Sequence, residues 1–127
     1  MDISNLHGSI SALPEAPGNF MEGAKKKVIF SPDRFLPDYS VRCWTLAPNM
    51  GEREPHTHPW PHWVVVLEGT GYHSIDGQGF YSKAGDWMFI PGNIPHYFYN
   101  SSDTNELSVL CMVPPEGDVD VTALPEN

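Results

Sequence analysis

Apolar residues in this chain come in short bursts, none unbroken for longer than the five residues of Trp63 to Leu67. Between residues 25 and 115 they recur as Val28-Ile29-Phe30, Tyr39 to Ala47, His62 to Leu67, Gly71 to Ile75, Phe80-Tyr81, Trp87 to Ile90, His96 to Tyr99 and Leu107 to Val113. Side chains two apart share one face of an extended segment, so His62 points with Val64 and Val66, His96 with Phe98, and Val109 with Cys111 and Val113. Turn chemistry separates the bursts: Glu68-Gly69-Thr70-Gly71, Asp76-Gly77-Gln78-Gly79, Ala84-Gly85-Asp86 and Pro91-Gly92-Asn93. Residues 96 to 113 lack Pro and Gly, but Asn100-Ser101-Ser102-Asp103-Thr104-Asn105 divides them into two short strands. With 13 Pro and 11 Gly spread along 127 residues, no helix of ordinary length has room. The pattern predicts an all-β sandwich or barrel, closed on itself to protect its strand edges.

One domain is expected, because a chain of this length buries about two-thirds of its surface around a single core. Residues 1–24, with isolated Ile3, Leu6, Ile10, Leu13 and Phe20 among Ser, Pro, Gly and Asn, read as an extended arm. Residues 25–115 carry the barrel, and 116–127 an acidic, Pro-containing tail. Seven Lys+Arg against sixteen Asp+Glu give a net charge of −9, and Lys25-Lys26-Lys27 is the one basic cluster. That balance argues against nucleic acid or an anionic membrane surface as partner. Met1-Asp2-Ile3-Ser4 lacks the basic stretch that opens a secretory signal, and Cys43 and Cys111 are too few for a disulfide framework, so a cytoplasmic location with reduced thiols is expected. Outward Trp63, Val65 and Leu67 need cover, which the apolar-dotted arm of residues 3–20 from a second copy of the chain would supply, so a homodimer is expected.

Four of the six histidines lie in two compact segments, Gly51-x4-His56-x-His58-x3-His62-x6-Gly69 and Gly85-x5-Pro91-Gly92-x2-Pro95-His96-x3-Asn100. His56 and His58, two apart, share a face; Pro59-Trp60-Pro61 makes a stiff corner; His62 and His96 then point inward with their strands. Four inward imidazoles are costly unless something uses their lone pairs, and a divalent metal is the simplest answer. His7 in the arm and His73 after the Gly71 turn lack such a setting and are assigned to surface or packing. Glu52, Glu54 and Glu68 fall at the rim or in turns, so none is marked as a general base, and Tyr72, Tyr97 and Tyr99 read as packing residues first and as proton donors second.

At these residues the chain resembles the cupin superfamily, whose motifs run G-x5-H-x-H-x3,4-E-x6-G and G-x5-P-x-G-x2-H-x3-N. The resemblance spans residues 51–100 and implies a cupin double-stranded β-helix, a jelly-roll barrel. Carried over residue by residue, His56, His58 and His96 match the family's metal-binding histidines, and His62 stands where the motif has a metal-binding glutamate. Two smaller departures accompany it: Gly51 is one residue nearer the first histidine, and Asn93 stands at the second motif's glycine, a position where Asn tolerates the left-handed backbone. The chain is also similar to small single-domain cupins with four histidine ligands, which share the His56 to His62 run and the Leu110 to Pro114 strand. That likeness implies a cavity over the metal lined by Trp60, Phe98, Val109 and Cys111, with Cys111 a small buried residue rather than a nucleophile.

Four neutral imidazoles leave the full double positive charge on a divalent ion, which favours a substrate that chelates through anionic oxygens. Imidazole ligation suits Mn, Fe, Co, Ni, Cu and Zn, and the affinity order does not choose among them; Fe(II) or Mn(II) is expected first, then Ni(II) or Zn(II), one ion per chain. The resemblance therefore implies a metal-dependent oxygenase of a small chelating organic substrate. A redox-neutral isomerase or lyase on a sugar-like or hydroxy-carbonyl compound is the second expectation, and a ligand-binding sensor with a structural metal the third.

Overall fold

A computed structural model of the chain describes residues 1–16 and 21–118; Phe20 and the expected tail beyond Asp118 lie outside the described residues. Eight strands follow in order: β1 (Ala24–Phe30), β2 (Ser40–Leu46), β3 (His62–Glu68), β4 (Thr70–Ile75), β5 (Gln78–Lys83), β6 (Trp87–Ile90), β7 (His96–Asn100) and β8 (Leu107–Val113). Every apolar burst has become a strand, and the described helical content is two three-residue turns at Ile10–Ala12 and Pro115–Gly117. All strand pairs are antiparallel, in a five-stranded sheet β1-β2-β8-β3-β6 and a three-stranded sheet β5-β4-β7. Among the described residues, no helix is long and apolar enough to cross a membrane.

The register of the large sheet lines inward side chains into rows. Arg42 of β2 faces Cys111 of β8, which faces Val64 of β3, which faces Met88 of β6. One step along, Trp44, Val109 and Val66 form a second row, and Leu46 with Leu107 a third. Leu46, Val66, Leu107, Val109 and Val113 are sealed from solvent. Each such side chain contributes about 1.5–3 kcal/mol by leaving water, which is why period-two alternation fixes this register: a slip of one residue would turn the whole row outward. Asn100, also fully buried, ties the β7 end to its neighbours by donating to the carbonyls of Leu46, Ala47 and Asn105 at 3.1, 3.2 and 2.7 Å.

Three local features differ from the sequence pattern. Met21, inside the stretch read as an arm, is buried in the core, and Ala16 N–H donates to the Lys26 carbonyl at 2.7 Å, so the chain before β1 lies along that edge strand. Lys26 is no surface charge; it is buried, with its ammonium 3.1 Å from Asp118 and 5.8 Å from the Trp44 ring centre. The chain after Val113 also has a packing role, because Gly117 is buried against Trp60 and Asp118 pairs with both Lys26 and Arg42. On the outer face, Trp63, Val65, Leu67, Trp87 and Phe89 remain exposed, Trp87 at 77%.

Candidate metal centre

Two motif segments meet inside the barrel because their backbones pair with each other. His56 and His96 form an antiparallel bridge, N–H to carbonyl in both directions at 3.2 and 3.1 Å, and Asn93 N–H donates to the His58 carbonyl at 2.8 Å. Gly51 enters this junction with φ +131°, so near β7 that a Cβ would fall 2.6 Å from Tyr99 Cα. A Cβ on Gly92 would fall 2.2 Å from the Pro59 carbonyl oxygen, and Asn93 takes the left-handed turn at φ 64°. The departure at Asn93 is thus accommodated by the conformation its side chain tolerates.

His56, His58 and His96 each offer a ring nitrogen within 4.8 Å of the other two. His62 joins from β3, its Nε2 2.8 Å from His58 Nε2, and its ring lies 5.4 Å from that of His96. The four differ from a chance cluster in how their other nitrogens are held. His58 Nδ1 meets the Trp60 carbonyl at 2.9 Å, His96 Nδ1 the Ile94 carbonyl at 2.8 Å, His62 Nδ1 the Cys111 sulfur at 3.1 Å and His56 Nδ1 the Glu52 carboxylate at 3.0 Å. A carbonyl or carboxylate can only accept, so in His56, His58 and His96 Nδ1 carries the proton and Nε2 a lone pair, whereas the Cys111 thiol can donate to His62 Nδ1 or accept from it. The His58 lone pair faces His62 Nε2 at 2.8 Å. Two nitrogens about 2.1 Å from a shared ion, at right angles, stand about 3 Å apart, so the donor set fits a divalent cation.

Burial shapes the protonation of the group. It pushes His58 down to about 4, with the charge of His96 adding, and His62 down to about 2, with His58 and then Arg42 adding. Burial lowers His96 as well, against the opposing pull of the Ile94 carbonyl. At His56 burial also acts downward, but the hydrogen bond and charge of Glu52 outweigh it and the group stands above the ordinary histidine value. Ligands must be unprotonated to bind metal, and three of these four are held so near neutral pH.

The cluster opens into a cavity of about 430 Å³ walled by Trp60, Phe98, Val109 and Cys111, all four expected there, together with Trp44, Met88 and other apolar side chains. Trp60 stacks on His58 with centroids 4.6 Å apart and planes within 7°. Cys111 is buried, its thiol pushed upward by that burial, and its sulfur meets Arg42 Nη2 at 3.2 Å as well as His62. His73 is buried rather than superficial: its Nε2 meets the Ser82 hydroxyl at 2.7 Å and its ring stacks against Phe80 and Phe98.

Two residues of the site escape the sequence pattern. Glu52, expected at the rim, lines the cavity and holds His56. Its signal was the four-residue separation from His56. Arg42 is 3% exposed inside the barrel, donating to the Gly117 carbonyl at 3.3 Å and facing Asp118 at 3.4 Å, and its Nε finds no acceptor. Its parity with Trp44 and Leu46 was the available signal.

The family profile described as Cupin domain matches residues 42–113. Among curated proteins, the chain is 30% identical over 78 residues, 61% of its length and 43% of the relative's, to dimethylsulfoniopropionate lyase DddW of Ruegeria pomeroyi. It spans about two-fifths of the length of the curated relatives it matches. Among solved structures it is similar to the polyketide cyclase RemF of Streptomyces resistomycificus, with TM-score 0.74, 18% identity and coverage of 86% of this chain and 78% of the other. It is likewise similar to a predicted oxalate decarboxylase of Thermotoga maritima, with TM-score 0.72, 20% identity and coverage of 84% and 96%.

Proposed function

The chain belongs to the cupin family, and on that premise we propose that it is a metal-dependent enzyme, an oxygenase that takes a compact, largely apolar substrate by its chelating oxygens. The observation that carries this reading is the convergence of the four imidazoles: every Nδ1 is engaged by the protein, and the Nε2 atoms of His58 and His62 meet at 2.8 Å, the spacing of two ligands on one ion. His56, His58, His62 and His96 would hold one divalent ion through their Nε2 nitrogens, Fe(II) or Mn(II) before Ni(II) or Zn(II). Such an ion, when bound, supplies Lewis acidity toward a substrate oxygen and, if iron or manganese, redox chemistry with O₂.

The chain's own residues supply the rest. The backbone bridge between His56 and His96 fixes the angle between two ligands before any ion arrives. Trp60 packs on His58 and covers one side of the site. Trp44, Val64, Met88, Ile90, Phe98 and Val109 give the cavity an apolar wall, which excludes water and matches a hydrocarbon or aromatic body better than a polyhydroxylated one. A redox-neutral lyase is the second reading, favoured by the identity to a lyase and by Glu52, a carboxylate at the cavity wall. Metal analysis of the purified protein, followed by an oxygen-electrode screen of small enolisable and phenolic chelators, separates the two. Oxygen uptake with metal-loaded protein supports the oxygenase; turnover of a chelating substrate that proceeds equally under argon replaces it with the lyase.

A homodimer through the outer face of β3 and β6 belongs to the same proposal. Trp63 sits opposite Phe89 and Val65 opposite Trp87, so the exposed residues form one continuous apolar strip on the edge of the large sheet. Light scattering of Trp87→Glu should give a monomer where the unaltered chain gives a dimer; a monomer in both cases rejects the interface.

A further inference from the structure

Among the described residues lining the cavity, Glu52 is the one carboxylate. Its Oε2 is 3.0 Å from His56 Nδ1 with both side chains 27% exposed, and its backbone N–H donates to the Phe98 carbonyl at 2.9 Å, which pins the residue against β7. The other three imidazoles use neutral partners: the carbonyls of Trp60 and Ile94 and the sulfur of Cys111. His56 alone is backed by a charge. Meanwhile His62 occupies the position where the motif it resembles carries a glutamate, so the ligand set itself contains no anion.

We infer that Glu52 is a positioning residue of the metal centre that restores, from behind His56, the negative charge missing at His62. The inference rests on the reading that the four histidines hold an ion. An Nδ1–H donated to a carboxylate fixes the tautomer, orients Nε2 and makes the imidazole a stronger donor than one backed by a carbonyl. The charge also reaches the ion through one ring, a distance at which a partly buried carboxylate still offsets part of a double positive charge. This modifies the expectation of an uncompensated doubly charged centre: the anion stays in the site but moves from the ligand shell to the residue behind it. The ion thereby gains a fourth imidazole while the local charge remains close to that of a three-histidine, one-glutamate set.

Co(II) titration of metal-free protein against a competing chelator tests this, with the visible absorption of bound Co(II) as a second readout. Glu52→Gln keeps a carbonyl acceptor for His56 but removes the charge, and Glu52→Ala removes both. Glu52→Gln should weaken Co(II) about tenfold and Glu52→Ala up to about 100-fold, each shifting the absorption bands. Adding His62→Glu to Glu52→Gln returns the anion to the ligand shell and should recover most of the lost affinity, a rescue that a merely structural role for Glu52 would not produce. Urea midpoints of the metal-free variants equal to that of the unaltered chain exclude a folding defect. Affinities and spectra unchanged in both Glu52 variants overturn the inference, as does a Glu52→Gln loss that His62→Glu leaves unrepaired. If the unaltered chain binds no Co(II), the failure belongs to the metal reading and not to Glu52.

Discussion

Two groups of buried histidine lie in one cavity wall and have opposite chemistry. His73, on β4, is 3% exposed, and His58 is 7% exposed, so burial does not distinguish them. Burial holds both protonation equilibria down to about 4. The difference lies in what meets each ring. His73 stands directly across the strands from Phe80 on one side and Phe98 on the other, stacked on both at 5.3 and 5.4 Å, with Nε2 closed off by the Ser82 hydroxyl. Its needs are met by the sheet itself. His58 presents the Nε2 lone pair to His62 Nε2 at 2.8 Å, its own Nδ1 proton being held by the Trp60 carbonyl. A buried histidine therefore reads as a ligand when its second nitrogen faces other imidazole nitrogens, and as packing when a hydroxyl and two rings enclose it.

The sharpest way to break this contrast is to exchange the outcomes. Alanine at His56, His58 or His96 should cost more than about 100-fold in metal affinity, beyond what changes behind a ligand produce, with a smaller loss at His62. His73→Gln should retain the full metal content by elemental analysis. Metal lost from the His73 variant alone, or retained in all four alanine variants, would dissolve the distinction.

A smaller effect sharpens the other half. Burial pushes His73 down to about 4 in the fold, against its ordinary value of 6.5 when unfolded. Between those values the unfolded chain binds more protons, so stability falls as pH drops from about 6.5 to about 4, by about 3 kcal/mol from this residue. Above that window the contribution is fully present. His58 and His62 add to the same acid loss in metal-free protein, since burial depresses them too. Urea denaturation of metal-free protein at pH 7.5 and 4.5 should show His73→Gln less stable than the unaltered chain at the higher pH, with the gap narrowing at the lower one. A gap that stays constant would mean the ring contributes packing without any penalty for its proton.

Strand positions were legible in the residue order because alternation and turn chemistry are local. Each apolar burst from Val28-Ile29-Phe30 to Leu107–Val113 carries its own parity and its own boundary, and both survive folding. The inward direction of His62 follows from Val64 and Val66 in the same way. Asn93, standing where the cupin motif has glycine, takes the left-handed turn that its side chain tolerates. The buried ends of Lys26 and Arg42 escaped the sequence reading, since a charged residue is ordinarily assigned to solvent even where, as at Arg42, parity points inward. Asp118, which pairs with both from more than 70 residues away, becomes their partner only when the chain after β8 folds back.

The sequence by itself determined an all-β chain of the cupin pattern and the four histidines that face its interior, because a period of two and the spacing of His56, His58, His62 and His96 act within single segments. Tertiary structure alone decided what stands behind those rings: Glu52 at His56, Cys111 and then Arg42 at His62, Ser82 at His73. Such partners are chosen by strand register and by backbone bridges such as that between His56 and His96. A hydrogen bond is made or lost within a few tenths of an ångström, a precision that residue order sets only once the whole sheet has closed.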